Sequence, residues 1–209
     1  MKLIGMLDSP YVRRVAISLQ LLGLRFEHSP LSVFSTFAEF RQINPVVKAP
    51  SLICDDGEVL MDSSLILEYA EPLAHPRTLM PGDRKALQHD LRLIGLGLAA
   101  MEKAVQLVYE NGLRPAEKRH EPWIERVTGQ LHSAFGELEN ELGRNGLSAV
   151  GSPIRQAGVT IGVAWHFTRQ MLPEVVSATA YPRLDRFSAE AESLPEFRAA
   201  PHGAGTYRG

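Results

Sequence analysis

The stretch that decides the fold is MKLIGMLDSPYVRR, residues 1–14. Its apolar run Lys2–Leu7 is ended by Asp8, Ser9 and Pro10, which predicts a strand followed directly by a helix start. Pro at the first helical position, with Ser or Asp just before it, is a usual helix opening. The same residues cut the apolar run too short for a signal peptide, so we expect none.

Outward from this stretch, apolar residues recur at helical spacing from Tyr11 to Leu22, and Gly23 predicts the end of that helix. Arg25–Ser29 has the composition of a second strand. The order predicts a β-α-β unit at the N-terminus.

The next forty residues predict a short helix, two strands and a further helix. A short helix over Ser35–Ile43 precedes two strands, 50–54 and 58–61, that flank the turn Asp55-Asp56-Gly57. Asp62 and Ser63 then open another apolar-periodic helix. We therefore expect a mixed sheet with helices packed on it over residues 1–79.

The character of the chain changes after Met80-Pro81-Gly82. Helical periodicity covers Asp83–Asn111, Glu121–Leu142, Thr160–Met171 and Pro182–Leu194. The only further strand signal is a weak one at Ser148–Val150, and the tail from Pro201 has the composition of a loosely held end. We expect an all-helical second domain over residues 84–209.

Composition excludes several function classes. Lys and Arg number 22 against 24 Asp and Glu, so there is no basic field to hold a nucleic acid. A single cysteine, Cys54, excludes an internal disulfide and favours the reducing cytoplasm, and the seven histidines lack metal-ligand spacing. The most apolar later run, residues 91–100, contains Arg92 and is shorter than the roughly 20 residues of a membrane span.

With these motifs in order, the chain resembles the cytosolic glutathione transferases, with a thioredoxin-like N-terminal domain and a helical bundle as the C-terminal domain. The resemblance rests on residues 9–14 at the first strand-to-helix junction, on the loop Asn44–Pro50, on Asp62-Ser63 and on the helical second half. It implies an enzyme that uses glutathione as co-substrate, holds no permanent cofactor or metal, and forms a homodimer. Helix faces after Ser64 and Asp83 would supply the dimer interface.

The resemblance also implies roles for individual residues. Ser9 would donate a hydrogen bond to the glutathione thiolate, a cis Ala49-Pro50 bond would present the Ala49 backbone to the cysteinyl part, and Lys48 would meet the glycyl carboxylate. Asp62 and Ser63 would hold the γ-glutamyl group, with Phe34 beside glutathione. The hydrophobic electrophile would contact Leu7, Tyr11, Met101, Val105 and Tyr109.

Each of these positions also has a purely structural interpretation. Ser9, Asp62 and Ser63 fit ordinary helix caps, Lys48 a solvated side chain, and Pro50 the first residue of a strand. Met101, Val105 and Tyr109 recur at four, which equally predicts a buried helix face. Tyr11 is an alternative thiol activator to Ser9, although a tyrosine on a helix face usually packs.

The sequence departs from the family pattern at three places. Met6 and Leu7 stand where many relatives carry a tyrosine, and no cysteine occupies the helix start, so Cys54 is expected to be a small core residue. A capping box expected in the C-terminal half is reduced to Thr160-x-x-Val163, in which only Thr160 can cap, so we expect a less well-capped helix.

These observations predict a detoxifying glutathione transferase that conjugates glutathione to small hydrophobic electrophiles. Two alternatives remain open. The chain could be a binding or regulatory module with little catalysis, or a glutathione-dependent isomerase or peroxidase that uses the same thiol site.

Overall fold

The structure, a computed structural model, describes residues 1–145 and 153–207. Four short strands form one mixed sheet: β1 (Lys2–Ile4), β2 (Glu27–Ser29), β3 (Ser51–Ile53) and β4 (Val59–Met61). Their order across the sheet is β2-β1-β3-β4. The β1–β2 pair is parallel, and the β1–β3 and β3–β4 pairs are antiparallel, which confirms the predicted mixed sheet.

Three helices accompany the sheet: α1 (Pro10–Leu21), α2 (Phe37–Ile43) and α3 (Ser63–Leu73). α1 and α3 pack against each other, and their apolar faces meet the sheet through fully buried residues such as Leu3, Val15 and Ile66. Gly23, at φ 72°, follows α1 in the left-handed conformation that glycine adopts without strain. Cys54 is buried, as expected of a small core residue.

The second unit, residues 81–192, contains α4 (Arg84–Leu113), α5 (Glu121–Asn145), α6 (Gln156–Met171) and α7 (Pro182–Glu192). Single 3-10 turns lie at Ala116–Lys118 and Ala178–Ala180. α4 packs on α5 and α6, and the buried ring of Trp165 meets that of Phe135 edge-on at 5.1 Å. The weak strand signal at 148–150 lies outside the described residues. Within those residues, no helix combines the length and apolarity needed to cross a membrane.

The capping prediction in this unit is wrong in its position. α6 begins at Gln156, four residues before Thr160, and Thr160 is buried inside the helix, where its hydroxyl donates to the Gln156 carbonyl at 2.8 Å. The N-cap residue is Arg155, which makes no side-chain capping hydrogen bond. The helix is poorly capped as expected, but the uncapped end is at Arg155 because helical periodicity extends further upstream than the sequence signal suggested.

The C-terminal end differs from the sequence prediction as well. Residues 193–207 group with residues 1–80 rather than with the helical unit, and a short helix α8 (Pro195–Ala199) packs on α1. Buried Arg13 holds this C-terminal segment against α1, because its guanidinium donates to the carbonyls of Ala200 at 2.7 Å and Phe197 at 3.3 Å. The tail is tied down, and the ring of Tyr207 stacks on Phe26 at 4.5 Å.

Candidate active site

The first component of the site is the start of α1. Ser9 is the N-cap residue, half-buried, and its hydroxyl oxygen lies 3.5 Å from the Val12 amide. That distance is longer than an ordinary hydrogen bond, so the capping interaction is weak. The hydroxyl can therefore direct its proton toward a ligand while its oxygen faces the helix.

Gly5 brings this helix start against the loop that precedes β3. It has φ 136°, and a Cβ placed there would lie 2.6 Å from Val12 Cγ2 and 3.2 Å from Ala49 Cβ. No other residue fits without displacing one of these neighbours. The absence of a side chain at Gly5 thus allows the strand end, α1 and Ala49 to meet.

The side chains of Asn44 and Ser51 hold the loop over residues 44–51 in place by hydrogen bonds. Buried Asn44 accepts from the Val46 amide at 3.0 Å and donates to the Ser51 hydroxyl at 2.8 Å, and Ser51 in turn donates to the Lys48 carbonyl at 2.8 Å. The Ala49-Pro50 peptide bond is cis, as the family resemblance implied. This hydrogen-bonding fixes the backbone between Val46 and Pro50.

The start of α3 supplies the third component. Asp62 caps the helix by accepting from the Ser64 amide at 2.9 Å, and its φ of 74° is unusual for a residue with a side chain. Lys48 Nζ lies 3.4 Å from the Asp62 carboxylate, which links the loop to this helix. Ser63 is buried directly behind the cap.

Arg14 joins α1 to the start of α3, and sequence reasoning missed it. Its side chain is 2% exposed and donates to the hydroxyls of Ser63 at 3.0 Å and Ser64 at 3.2 Å. Burial lowers the pKa of this guanidinium to about 10, against the opposing influence of Asp62 and then Tyr11. A second arginine within an otherwise apolar helical stretch was the one available signal, but its partners lie 49 and 50 residues away.

The other predicted site residues differ widely in their exposure to solvent. Phe34 is 56% exposed, in the loop before α2. Leu7 and Met101 are fully buried, each in the core of its own unit, whereas Tyr11 and Val105 are half-buried. Tyr109 is exposed and lines an open groove of about 460 Å³ with Leu113 and Trp123 at the end of α4. The structure therefore brings together Ser9, Ala49, Lys48, Asp62 and Ser63, and the electrophile set stays a prediction.

Comparison with known proteins agrees with this fold. Residues 3–78 match the family described as the glutathione S-transferase N-terminal domain. The maleylacetoacetate isomerase of Pseudomonas aeruginosa is 29% identical over 214 residues, covering 96% of this chain and 95% of that protein.

Two solved structures align over nearly the whole chain. A glutathione S-transferase of Methylobacterium radiotolerans in complex with glutathione sulfonate is 26% identical with a TM-score of 0.87, covering 95% of this chain and 93% of its own. A glutathione transferase family member of Pseudomonas fluorescens with bound glutathione is 28% identical with a TM-score of 0.80, covering 95% and 97%.

Residues 3–78 therefore match the N-terminal domain of the glutathione S-transferase family, and the chain is similar to members of that family over nearly its whole length. The predicted family and the predicted thioredoxin-like and helical fold are confirmed. The named relatives are enzymes, which confirms the prediction of an enzyme of this family.

Proposed function

We propose that this chain is a glutathione transferase that binds glutathione across the three components and activates its thiol at Ser9. The observation that carries the proposal is their convergence, with Gly5 packed between α1 and Ala49 and Arg14 hydrogen-bonded to Ser63. Two structures that are 26% and 28% identical hold glutathione sulfonate and glutathione, which supports glutathione as the co-substrate.

The chemistry required of Ser9 is stabilisation of a thiolate. A free thiol has a pKa of about 8.5, so at neutral pH most of the glutathione is protonated. The start of α1 favours an anion through its dipole, and the Ser9 hydroxyl adds one directed donor. The thiol proton passes to solvent, and the thiolate then attacks an electrophilic carbon of a small hydrophobic substrate. As the carbon–sulfur bond forms, the bond from that carbon to a leaving group such as halide breaks, or an epoxide ring opens and its oxygen takes a proton from solvent.

The start of α3 is suited to the γ-glutamyl group. Helix N-termini bind carboxylates through unpaired amides, and here the Ser63 hydroxyl and the buried positive charge of Arg14 reinforce that preference. The Asp62 carboxylate is available to the ligand's ammonium group. Lys48 and Asp62 are each about half exposed, so their ion pair is weak and Lys48 can turn to the glycyl carboxylate. The Ala49 backbone would face the cysteinyl part, with Phe34 alongside.

Replacing Ser9 by Ala tests the role of the hydroxyl. We expect the pKa of bound glutathione to rise and kcat for conjugation to fall by roughly 10- to 100-fold, because about 1.5–3 kcal/mol of charge-assisted hydrogen bonding is lost. The pKa is measured from the ultraviolet absorbance of the bound thiolate. Unchanged conjugation would show that Ser9 is the wrong residue and would transfer the role to Tyr11.

Two further variants separate thiol activation from helix capping. Ser9→Asp retains a capping oxygen but places a carboxylate opposite the thiolate, so it should impair catalysis at least as much as Ser9→Ala. Asp83→Ala removes the cap of α4, where Asp83 accepts from the Ala86 amide at 2.9 Å. That variant should lose about 1 kcal/mol of free energy of unfolding, at least as much as Ser9→Ala, with the pKa of bound glutathione unaltered.

A second candidate function is glutathione-dependent cis–trans isomerisation. It is favoured by the match to the Pseudomonas aeruginosa maleylacetoacetate isomerase over 96% of this chain. In such a reaction the thiolate adds to a conjugated double bond, the resulting single bond rotates, and elimination returns the thiolate. Glutathione is then a catalyst, which distinguishes isomerisation from conjugation.

A substrate panel distinguishes these reactions at the same site. Aryl halides, epoxides, isothiocyanates, hydroperoxides and cis-dienoic acids are each supplied with glutathione, and both products and remaining glutathione are measured. Consumption with a thioether product indicates transfer, consumption with oxidised glutathione indicates peroxidase activity, and unchanged glutathione with isomerised acid indicates isomerisation. Glutathione binding without turnover of any substrate would favour the binding-module alternative.

The electrophile contacts, the assembly and the location of the protein are part of the same proposal. The electrophile would lie against Leu7, Tyr11, Met101, Val105 and Tyr109, of which Leu7 and Met101 are fully buried and Tyr109 is exposed. Detoxification, a homodimeric assembly and a cytoplasmic location complete the proposed role.

A further inference from the structure

The ring of His28, on edge strand β2, joins two segments that are distant in sequence. Its Nε2 lies 2.7 Å from the carbonyl oxygen of Gly5, where the chain leaves β1 toward Ser9. Its Nδ1 lies 3.1 Å from the backbone amide of Tyr207, near the end of the C-terminal segment. One side chain thus contacts both the approach to Ser9 and the chain end.

The partners of His28 determine its protonation state. The Gly5 carbonyl can only accept, so Nε2 must carry a hydrogen, whereas the Tyr207 amide can only donate, so Nδ1 must offer a lone pair. Only the neutral ring with hydrogen on Nε2 satisfies both. Partial burial lowers the pKa of His28, and the bond to Gly5 acts in the opposite direction.

The C-terminal segment is held at both ends. Arg13 donates to the Ala200 carbonyl at 2.7 Å, and the stacked pair of Tyr207 and Phe26 fixes the other end. Between these points lies His202, two residues beyond Ala200. Burial raises the pKa of Asp8, and the charge of His202 acts in the opposite direction.

We propose that residues 201–207 form a C-terminal strap that completes the thiol site, and that neutral His28 is the positioning residue that holds it there. Through the His28 ring the strap fixes the Gly5 carbonyl, and with it the segment that leads from β1 to Ser9. This inference rests on the proposed role of Ser9, but the attachment of the strap can be measured without catalysis.

Protonation of His28 removes the acceptor for Tyr207 and sets two donors against each other. The charged side chains on the paired strands, Lys2 and Glu27, are in register with each other. They lie on the face opposite His28, because side chains alternate along a strand. On the other segments, Asp8 and His202 are titratable groups whose charges interact. The pKa of His28 is lowered on folding, so its contribution is fully present above about pH 6.5 and declines as the pH falls below that value.

Two amide substitutions at His28 separate the acceptor role of Nδ1 from the donor role of Nε2. His28→Asn places an uncharged acceptor where Nδ1 lies, and His28→Gln places an uncharged donor where Nε2 lies. Hydrogen exchange of the C-terminal peptide is followed at about pH 7.5 and about pH 5.5, corrected for the intrinsic exchange rate. We expect the wild type to lose protection only at the acid pH, His28→Asn to retain it at both, and His28→Gln to lack it at both.

The bound thiol supplies a second readout. His28→Gln and Tyr207→Ala should each raise the pKa of bound glutathione and lower kcat/KM by roughly two- to tenfold, about the effect of one neutral hydrogen bond. His120→Gln, an exposed histidine in the helical unit, is the matched control.

If the C-terminal peptide is equally protected in the wild type, His28→Gln and Tyr207→Ala, then His28 does not hold the strap in place. Lost protection with an unchanged thiol pKa would overturn its role in the site. Failure of Ser9→Ala alone would overturn the proposed thiol activation and leave the exchange result standing.

Discussion

At the scale of single residues, Val47 has a backbone conformation that is unfavourable for its side chain. It has φ 53°, in the left-handed region that a β-branched residue rarely adopts at a cost of about 1–2 kcal/mol. Glycine relieves that cost but adds about 0.5–1 kcal/mol of unfolded-state entropy. We expect Val47→Gly to raise the free energy of unfolding by about 0.5–1 kcal/mol, measured by urea denaturation.

The adjacent valine is the control for this prediction. Val46 is 62% exposed and is not among the residues with positive φ, so Val46→Gly should lower the free energy of unfolding by about 0.5–1 kcal/mol. Equal losses in both variants would show that the conformation of Val47 is not strained.

Sequence reasoning finds residues whose partners are local. Ser9 and Asp62 were predicted because their capping partners follow within three residues. Arg14 and His28 were missed because their functions depend on residues 49 and 179 positions away. Contacts of that separation leave no periodic signal in one sequence.

At the scale of elements, the packing of α4 on α6 depends on Gly97. A Cβ there would lie 2.9 Å from Thr160 Cγ2, whereas Gly95, two residues earlier and exposed, has open space around it. Both Ala substitutions gain about 1 kcal/mol of helix propensity, but at Gly97 the clash costs about 1–3 kcal/mol. We expect Gly95→Ala to be more stable than Gly97→Ala by about 1–3 kcal/mol in urea unfolding.

The clash can be relieved from the other helix. Thr160→Ser removes Cγ2 and keeps the hydroxyl that donates to Gln156. Combining it with Gly97→Ala should therefore lose less stability than the sum of the two single variants. Additive losses would show that Thr160 is not the obstacle.

The elements themselves were largely predictable, and their failures have physical causes. The long helices α4 and α5 were found because their periodicity persists over many turns. The start of α6 was misplaced because Arg155 gives no capping signal. The short helix α8 was missed because its five residues are stabilised by α1 rather than by their own pattern.

At the scale of the whole molecule, an exposed apolar stripe on α3 is the surface through which we propose that two copies associate. Leu65, Tyr69 and Leu73 recur at every fourth position and are 59%, 39% and 50% exposed. Burying such a stripe in a twofold interface would remove it from water. We expect Leu65→Glu combined with Leu73→Glu to convert a dimer to a monomer in light scattering after size-exclusion chromatography.

An equally exposed leucine provides the control. Leu113 is 60% exposed at the end of α4, and Leu113→Glu should leave the dimer intact. A wild-type protein that is already monomeric, or a dimer that survives the α3 double substitution, would contradict this interface.

The return of residues 193–207 to the N-terminal unit has a consequence for biosynthesis. The carbonyls of Phe197 and Ala200 that accept from the buried guanidinium of Arg13 lie 184 and 187 residues further along the chain and are synthesised correspondingly later. Residues 81–192, which form an uninterrupted unit, have all been made by then. The unit that combines residues 1–80 with residues 193–207 can therefore be completed only after residues 81–192 have been synthesised.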